Sequence, residues 1–190
     1  MVVDIMSKVP YQQVLTDELK STVKTTALIG AIVGQLGFGA VADLIGRRVV
    51  FIVTCLLVIL GAILSSTVVD IAGPFGIYSQ LCLWRFLLGV GVGGEYPLSA
   101  SISSESTDSR RKAKHLAIVF SMQGCGSLLC SLVLVIVTNI QTLSYDVQWR
   151  LALGVGGLPM LVAFYFRWNM QETAAWSRQN VSVCTFKMYC

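Results

Sequence analysis

The chain has 190 residues, of which 55% are hydrophobic and only 13% are charged, and its formal net charge is +4. A soluble domain usually carries about 25% charged residues. Half of that fraction is too little to cover a surface that faces water. Composition therefore excludes an ordinary soluble domain and predicts an all-α protein that crosses a membrane several times.

The first segment, residues 1–24, is polar and contains no long apolar run. It lacks the apolar core of a cleavable signal peptide, and it is too polar to form a complete span. The distribution of basic residues, described below, places it outside the cell. We therefore expect an extracellular segment that follows a first helix missing from this sequence.

Five apolar stretches follow this segment. Each is long enough to cross about 30 Å of hydrocarbon, which takes roughly 20 residues. Short polar connections separate them and are typical of antiparallel neighbours in a bundle. The predicted spans are 25–42, 49–69, 78–103, 113–140 and 149–168, and residues 169–190 are expected to form a cytoplasmic tail.

Lysine and arginine are unequally distributed between the two ends of these spans. One end collects Arg47, Arg48, Arg110, Arg111, Lys112, Lys114, Arg167, Arg178 and Lys187. The other end has Lys8, Lys20, Lys24 and Arg150, with Arg85 just inside a helix. Since basic residues accumulate on the cytoplasmic side, the sequence predicts that the first end is cytoplasmic.

Glycines are concentrated in the spans and include two GxxxG pairs, Gly30 with Gly34 and Gly89 with Gly93. Small residues let membrane helices approach closely, because lipid provides no hydrophobic force between them. The pattern indicates tight helix packing. Movement of one helix over another is the functional alternative, and the sequence leaves both open.

The third span contains an acidic residue, Glu95, near its middle. A charged side chain inside a membrane is costly and is therefore a candidate functional group. Neighbouring glycines open space beside the helix, and Pro97 frees a backbone carbonyl. We expect a ligand or a proton to approach here. An ion pair or hydrogen bond to another helix is the structural alternative.

A second polar residue, Gln123, lies at a similar depth in the fourth span. Glu95 and Gln123 are about nine and ten residues from the cytoplasmic ends of their helices, which places both roughly 14 Å from that surface. A short connection joins the two helices. Glu95, Tyr96 and Gln123 are therefore predicted to line one cavity near the bilayer middle, where secondary transporters bind their substrates.

Charged residues also surround a predicted tight turn at the cytoplasmic end. An oppositely charged pair across such a turn braces one conformation of a helix bundle. The residues concerned are Gly39, Asp43, Gly46, Arg47 and Arg48.

This ten-residue segment, 39–48, resembles the signature loop between the second and third helices of the major facilitator superfamily. Arg85 and the glycines after it resemble that superfamily's fourth-helix RxxxGxGxG pattern. Glu105, followed by Arg110 and Arg111, resembles the acidic-then-basic element after the fourth helix.

Two further elements extend the resemblance towards the end of the chain. Trp149-Arg150 opens the last span as in the sixth helix of many members. Gln171-Glu172-Thr173 is similar to a divergent form of the Pro-Glu-Ser motif that follows this helix. The resemblance implies a partial major facilitator superfamily fold that comprises helices two to six.

A more specific resemblance is to the phosphate:proton symporter family of this superfamily. The run 91–99, Gly-Val-Gly-Gly-Glu-Tyr-Pro-Leu-Ser, resembles its fourth-helix signature, although members usually have Asp where Glu95 stands. Gln123 falls where that family has a phosphate-contacting glutamine. The resemblance implies that Tyr96 and Gln123 hydrogen-bond phosphate and that Glu95 takes part in proton coupling. It implies inorganic phosphate, protons and the lipid bilayer as partners, a polytopic protein in the plasma membrane, and no cofactor.

Three functional hypotheses remain. The leading one is proton-coupled secondary transport of inorganic phosphate, as part of a longer transporter. A sugar or organic-ion porter of the same superfamily is the second. The third is a non-transporting truncated fragment, either inert or regulatory through association with a second transporter half or a full-length relative.

Other classes of function have little support in the sequence. We expect no enzyme, because no nucleophile–base constellation is present. We expect no metal site, because the six cysteines form no CxxC and there is a single histidine. We expect no nucleic-acid binding, because the basic residues 110–114 lie beside a span and lack interleaved aromatic residues.

Overall fold

The computed structural model describes residues 17–69, 76–105, 107, 110–140 and 144–170. All regular secondary structure in these residues is helical. The helices are α1 (Asp17–Ile45), α2 (Arg47–Ser66), α3 (Ile77–Glu105), α4 (Lys112–Asn139), α5 (Tyr145–Val155) and α6 (Leu158–Trp168). Since α5 and α6 form one continuous apolar unit, Tyr145–Trp168, the prediction of an all-α fold with about five membrane helices is confirmed.

Four of these five units are long and apolar enough to cross a membrane, namely Glu18–Ile45, Arg47–Ser66, Lys112–Asn139 and Tyr145–Trp168. Helix α3 is not among them, because Arg85, Glu95 and several glycines and serines lower its hydropathy. It nevertheless has 29 residues, which corresponds to roughly 44 Å. It packs against α1, α2 and α4, so the unit that is not apolar enough to count as a span has three helical neighbours among the described residues.

Helix α1 begins earlier than the predicted span. Residues 17–24 were expected to lie before the first span, but they are helical. The hydroxyls of Thr22 and Thr26 donate to carbonyls one turn earlier, at 2.9 and 2.7 Å. Backbone hydrogen bonds do not depend on apolar side chains, so a helix continues beyond the apolar stretch. The other parts of the predicted terminal segments, 1–16 and 171–190, lie outside the described residues.

The main neighbour of α1 is α3, which runs parallel to it, and not the antiparallel α2 that follows it in the chain. The two GxxxG pairs explain this arrangement. A Cβ on Gly34 would overlap the backbone of Val90, and one on Gly93 would overlap the backbone of Ala31. The tight packing predicted from these glycines is therefore confirmed, but it joins helices that are not consecutive.

Two turns set the paths of α2 and α6. Gly46 separates α1 from α2 with a φ of 109°, a left-handed conformation that residues with a Cβ rarely adopt. The last predicted span, 149–168, is broken at Gly156–Gly157. Pro159 has no N–H with which to continue the α5 hydrogen-bond ladder, so a new helix starts beside it.

Buried side chains form one cluster at each end of the bundle. The cluster at one end joins Val23, Val68, Ile77, Tyr78, Leu81, Leu134 and Trp149. The cluster at the other end joins Ala42, Val50 and Leu98. The candidate site lies beside α3, where α4 and α6 face it.

Candidate functional site

A cleft of about 220 Å³ opens between α3, α4 and α6. It contains the three residues that were expected to share a cavity. The lining residues are Val92, Glu95, Tyr96, Ser99, Val119, Phe120, Gln123 and Met160. The structure thus brings the predicted polar groups together on one apolar-walled surface.

Tyr96 and Gln123 contact one another directly across the cleft. The Gln123 Nε2 donates to the Tyr96 Oη at 3.1 Å. This bond uses one amide proton of Gln123 and an acceptor lone pair of the phenol. The hydroxyl proton of Tyr96 and the second amide proton of Gln123 remain as donors for an oxygen-rich ligand.

Glu95 is held by a residue of α6. The Arg167 Nη1 and Nη2 lie 2.5 and 2.6 Å from the Glu95 Oε1 and Oε2, which makes the pair bidentate. Both side chains are largely buried, with 15% and 16% of their surfaces exposed. Such a pair is among the stronger charge-assisted contacts in proteins. The structural alternative considered for Glu95, an ion pair to another helix, is therefore present.

Helix α2 supports both members of this pair. The Thr54 Oγ1 donates to the Glu95 Oε1 at 3.0 Å. The guanidinium of Arg167 lies over the Phe51 ring, 3.7 Å from its centroid. Cation–π stacking of this kind is strengthened where water is excluded. The pair is thus fixed from three helices, with Glu95 at the edge of the cleft and Arg167 behind it.

The backbone of α3 is locally adapted at this site. Pro97 lies inside the helix and cannot donate to the carbonyl four residues earlier. The Ser99 Oγ donates to the Glu95 carbonyl at 2.7 Å. A Cβ on Gly94 would overlap Phe38 and Thr54, so only a residue without a side chain lets α3 approach α2 closely enough for the Thr54–Glu95 hydrogen bond.

A second set of charges lies where α1 and α3 end and α2 begins. Arg47 pairs with Asp43 across the Gly46 turn, with the Arg47 Nη2 and Asp43 Oδ1 3.2 Å apart. Arg47 also forms an ion pair with Glu105 at the end of α3. The Arg48 Nη2 donates to the Trp168 carbonyl at 2.8 Å. The predicted charged turn is therefore joined to α3 and α6.

The remaining residues of the predicted conformational motif are more scattered. Gly39 lies beside Pro97, and a Cβ on it would be 3.9 Å from the proline Cβ. The Arg85 Nε is buried and has no hydrogen-bond partner among the described residues. Arg110 and Arg111 are exposed at the start of α4, and the Arg111 carbonyl accepts from the His115 N–H at 3.0 Å. The conformational role of these residues stays a prediction.

The sequence interpretation missed Arg167, Thr54 and Phe51 as site residues. Arg167 was counted only as a cytoplasmic charge, although it falls inside the predicted span 149–168. An arginine inside a span is itself a candidate site residue, so this signal was available. Nothing in the sequence distinguishes Thr54 or Phe51 from other residues of an apolar helix.

Comparisons of the chain with known proteins identify its family. Residues 6–182 match the family described as "Sugar (and other) transporter". The chain belongs to this transporter family. The family is part of the major facilitator superfamily, so the resemblance found in the charged loop and the glycine-rich helix is confirmed.

The relatives of this family member include several plant proteins. The chain is 34% identical over 181 residues to a putative inorganic phosphate transporter 1-13 of rice, covering 93% of this chain and 36% of that protein. It is 37% identical over 169 residues to the inorganic phosphate transporter 1-11 of rice, covering 80% and 30%. The chain thus spans about a third of the length of these curated relatives.

The solved structures agree on the fold. A partially occluded, inward-open xylose transporter XylE from E. coli matches with a TM-score of 0.82 at 19% identity, over 94% of this chain and 45% of that one. At this identity the similarity shows the fold alone. This family member is therefore an integral membrane protein with part of the major facilitator superfamily fold.

Proposed function

We propose that this chain forms part of a secondary active transporter that moves inorganic phosphate together with protons across the plasma membrane. The cleft carries this proposal, because it presents unused donors of Tyr96 and Gln123 beside a carboxyl group. Phosphate oxygens are strong acceptors and match such donors. The relatives named as inorganic phosphate transporters support the same substrate.

Each site residue has a role in this proposal. Tyr96 and Gln123 donate hydrogen bonds to phosphate, and Glu95 accepts and releases the coupled proton. A bare carboxylate beside the cleft would repel an anion. The Arg167 guanidinium, bidentate to Glu95, neutralises that charge and makes the neighbourhood compatible with an anionic substrate.

Phosphate uptake by yeast cells that lack their own phosphate transporters tests the proposal. The cells express this chain inserted between the first helix and the second half of the rice phosphate transporter 1-13, and this fusion is called the joined protein. We expect uptake of radiolabelled phosphate that increases at acidic external pH. Gln123→Ala should raise the KM for phosphate roughly tenfold, because it removes a donor to a charged oxygen.

A matched control is Gln80→Ala. This change removes the same amide at the far end of α3, where the Gln80 Nε2 donates to the Val69 carbonyl at 3.1 Å, and it should leave the KM unchanged. Absence of phosphate uptake, or uptake of xylose in its place, would overturn the proposed substrate. Proton-coupled uptake that Glu95→Gln leaves intact would overturn the role of Glu95.

A non-transporting role is the second candidate for the 190 residues taken by themselves. The chain covers 36% of the rice relative, and alternating access rocks two halves around a site between them. Expressing the 190-residue chain alone beside the joined protein separates the two roles. Uptake by the joined protein only, with lowered uptake when the chain is added to it, would support a regulatory role.

A further inference from the structure

We propose that Arg167 recognises the anionic substrate directly, and that the protonation of Glu95 makes it available to do so. This inference rests on the proposed function and deepens it. In the paired state the cluster carries no net charge, because the carboxylate and the guanidinium cancel. When Glu95 takes up a proton, the cluster gains one positive charge at the edge of the cleft.

The orientation of Arg167 is the first observation behind this inference. Arg167 lies in the last turn of α6, next to Trp168. An arginine near the end of a membrane helix ordinarily extends its charged group to interfacial water. Arg167 extends inward to Glu95, and only 15% of its side chain is exposed. Holding the guanidinium away from water in this way is costly, and a purely topological charge would not require it.

The position of the cleft is the second observation. Met160 lines the cleft and lies seven residues before Arg167 on α6. Seven residues are about two helical turns, so both side chains lie on the same face of α6. Both oxygens of Glu95 contact Arg167, while Glu95 itself borders the cleft. The carboxyl group of Glu95 therefore lies between the guanidinium and the cleft that Tyr96 and Gln123 line.

Several helices contribute side chains around the pair of Glu95 and Arg167. From α2, the Cys55 Sγ donates to the Met160 carbonyl at 3.5 Å, and Thr54 donates to Glu95. Tyr96 on α3 and Gln123 on α4 both line the cleft that Glu95 borders. Arg48 lies nearby but donates to the Trp168 carbonyl. Arg167 stays cationic throughout, because the guanidinium does not deprotonate in proteins.

This arrangement couples the proton to the anion in one direction. Proton uptake by Glu95 replaces the bidentate ion pair with a weaker contact, and the two Nη groups of Arg167 then bind substrate oxygens. Phosphate binding in turn favours the protonated carboxyl group, because binding free energies of linked sites are reciprocal. The Phe51 ring, 3.7 Å from the guanidinium carbon, keeps Arg167 in position during the exchange.

A set of variants in the joined transporter tests the inference through the KM for phosphate and its pH dependence. Arg167→Gln should raise the KM roughly tenfold to a hundredfold, which is the range for losing hydrogen bonds to a charged group. Glu95→Gln frees Arg167 at every pH. It should therefore give a low KM that no longer depends on external pH, while abolishing the coupled proton.

The double variant Glu95→Gln/Arg167→Gln decides between recognition and simple neutralisation. If Arg167 only cancels the charge of Glu95, removing both charges restores the wild-type KM, and this result overturns the inference. If Arg167 binds the anion, the KM of the double variant stays as high as that of Arg167→Gln. Arg167→Lys keeps the positive charge but loses the planar guanidinium that binds two oxygens at once, and we expect an intermediate KM.

Folding and substrate controls complete the design. Asp146→Asn/Arg150→Gln removes another ion pair, with the Arg150 Nε and Asp146 Oδ2 2.9 Å apart, at the opposite end of the bundle, and should leave the KM and its pH profile unchanged. The double variant at the site carries no unpaired charge, so it remains informative if Arg167→Gln alone fails to fold. Failure of the wild-type joined protein to take up phosphate would instead refute the proposed function itself.

Discussion

The two carboxylates that pair with Arg47 differ mainly in their exposure to solvent. The side chain of Asp43 is 71% exposed, whereas that of Glu105 is 20% exposed. Water screens an exposed pair, which contributes about 0–1 kcal/mol. A charge-assisted contact that is shielded from water contributes roughly 1.5–3 kcal/mol. The same arginine is therefore expected to have one weak and one strong partner.

This difference predicts unequal effects of two matched substitutions. Glu105→Gln should lower the free energy of unfolding by roughly 1.5–3 kcal/mol, because it leaves Arg47 without its buried counter-charge. Asp43→Asn should lower it by less than about 1 kcal/mol. Unfolding in mixed micelles with increasing denaturing detergent measures both. Equal losses for the two variants would show that the Arg47–Glu105 pair stabilises the fold no more than the exposed Arg47–Asp43 pair does.

At the site, single residues were predictable where a local pattern exists. The position of Tyr96 and Gln123 in one cleft was predicted from their depth and is confirmed, while their contact with phosphate, which the resemblance implies, stays a prediction. Arg167 was not assigned to the site, because it is 72 residues from Glu95 in the chain. Periodicity within one helix does not indicate which distant helix a charged side chain will contact.

The backbones of helices α1 and α3 contact each other directly. Glycines make this contact possible, because they have no Cβ. A Cβ on Gly34 would overlap the carbonyl of Val90, whereas one on Gly37 would meet nothing within 4 Å. Both glycines lie on α1, less than one turn apart. Because their surroundings differ, substitutions at these two glycines distinguish the effect of interhelical packing on stability from the effect of intrinsic helix propensity.

Alanine substitutions at these two glycines test the interhelical contact. Gly34→Ala should cost about 1–3 kcal/mol of unfolding free energy, as expected for overpacking against a rigid backbone. Gly37→Ala should be neutral or stabilising by up to about 1 kcal/mol, because alanine favours a helix more than glycine does. The same detergent titration measures both. Loss of stability at position 37 alone would contradict the α1–α3 arrangement.

The sequence predicted the number and approximate positions of the helices better than it predicted which helices pack against each other. Long apolar runs identify spans because hydrocarbon thickness fixes their length. The contact of α1 with α3 required knowing which glycine faces met, and the break between α5 and α6 at Gly156–Gly157 lies within a continuous apolar run. These features depend on tertiary packing and on turn chemistry, which hydropathy does not record.

The orientation of the whole bundle follows from its two charged ends. Arg47, Arg48 and Glu105 meet at one end with the last residues of α6, and Arg150 meets the Ser66 carbonyl at the other. Helix α4 connects these ends and is almost wholly exposed along its length. It therefore offers positions at both membrane surfaces that can be altered without disturbing the core.

Cysteine labelling along α4 tests this orientation in intact cells, after the six native cysteines are replaced. Lys112→Cys and Asn139→Cys lie about 40 Å apart along the helix, which is more than the hydrocarbon thickness. Because basic residues accumulate inside, a membrane-impermeant maleimide should label position 139 in intact cells. Position 112 should react only after permeabilisation.

Leu128→Cys provides the matched control on the same helix. The side chain of Leu128 is 68% exposed on the helix surface. A cysteine at this position would therefore react with the maleimide if this surface faced water. If α4 crosses the bilayer, this thiol lies in hydrocarbon, where the reactive thiolate does not form, and it should stay unlabelled before and after permeabilisation. Labelling of all three positions in intact cells would mean that α4 lies outside the membrane, and the reverse order of positions 112 and 139 would mean that the bundle is inserted in the opposite sense.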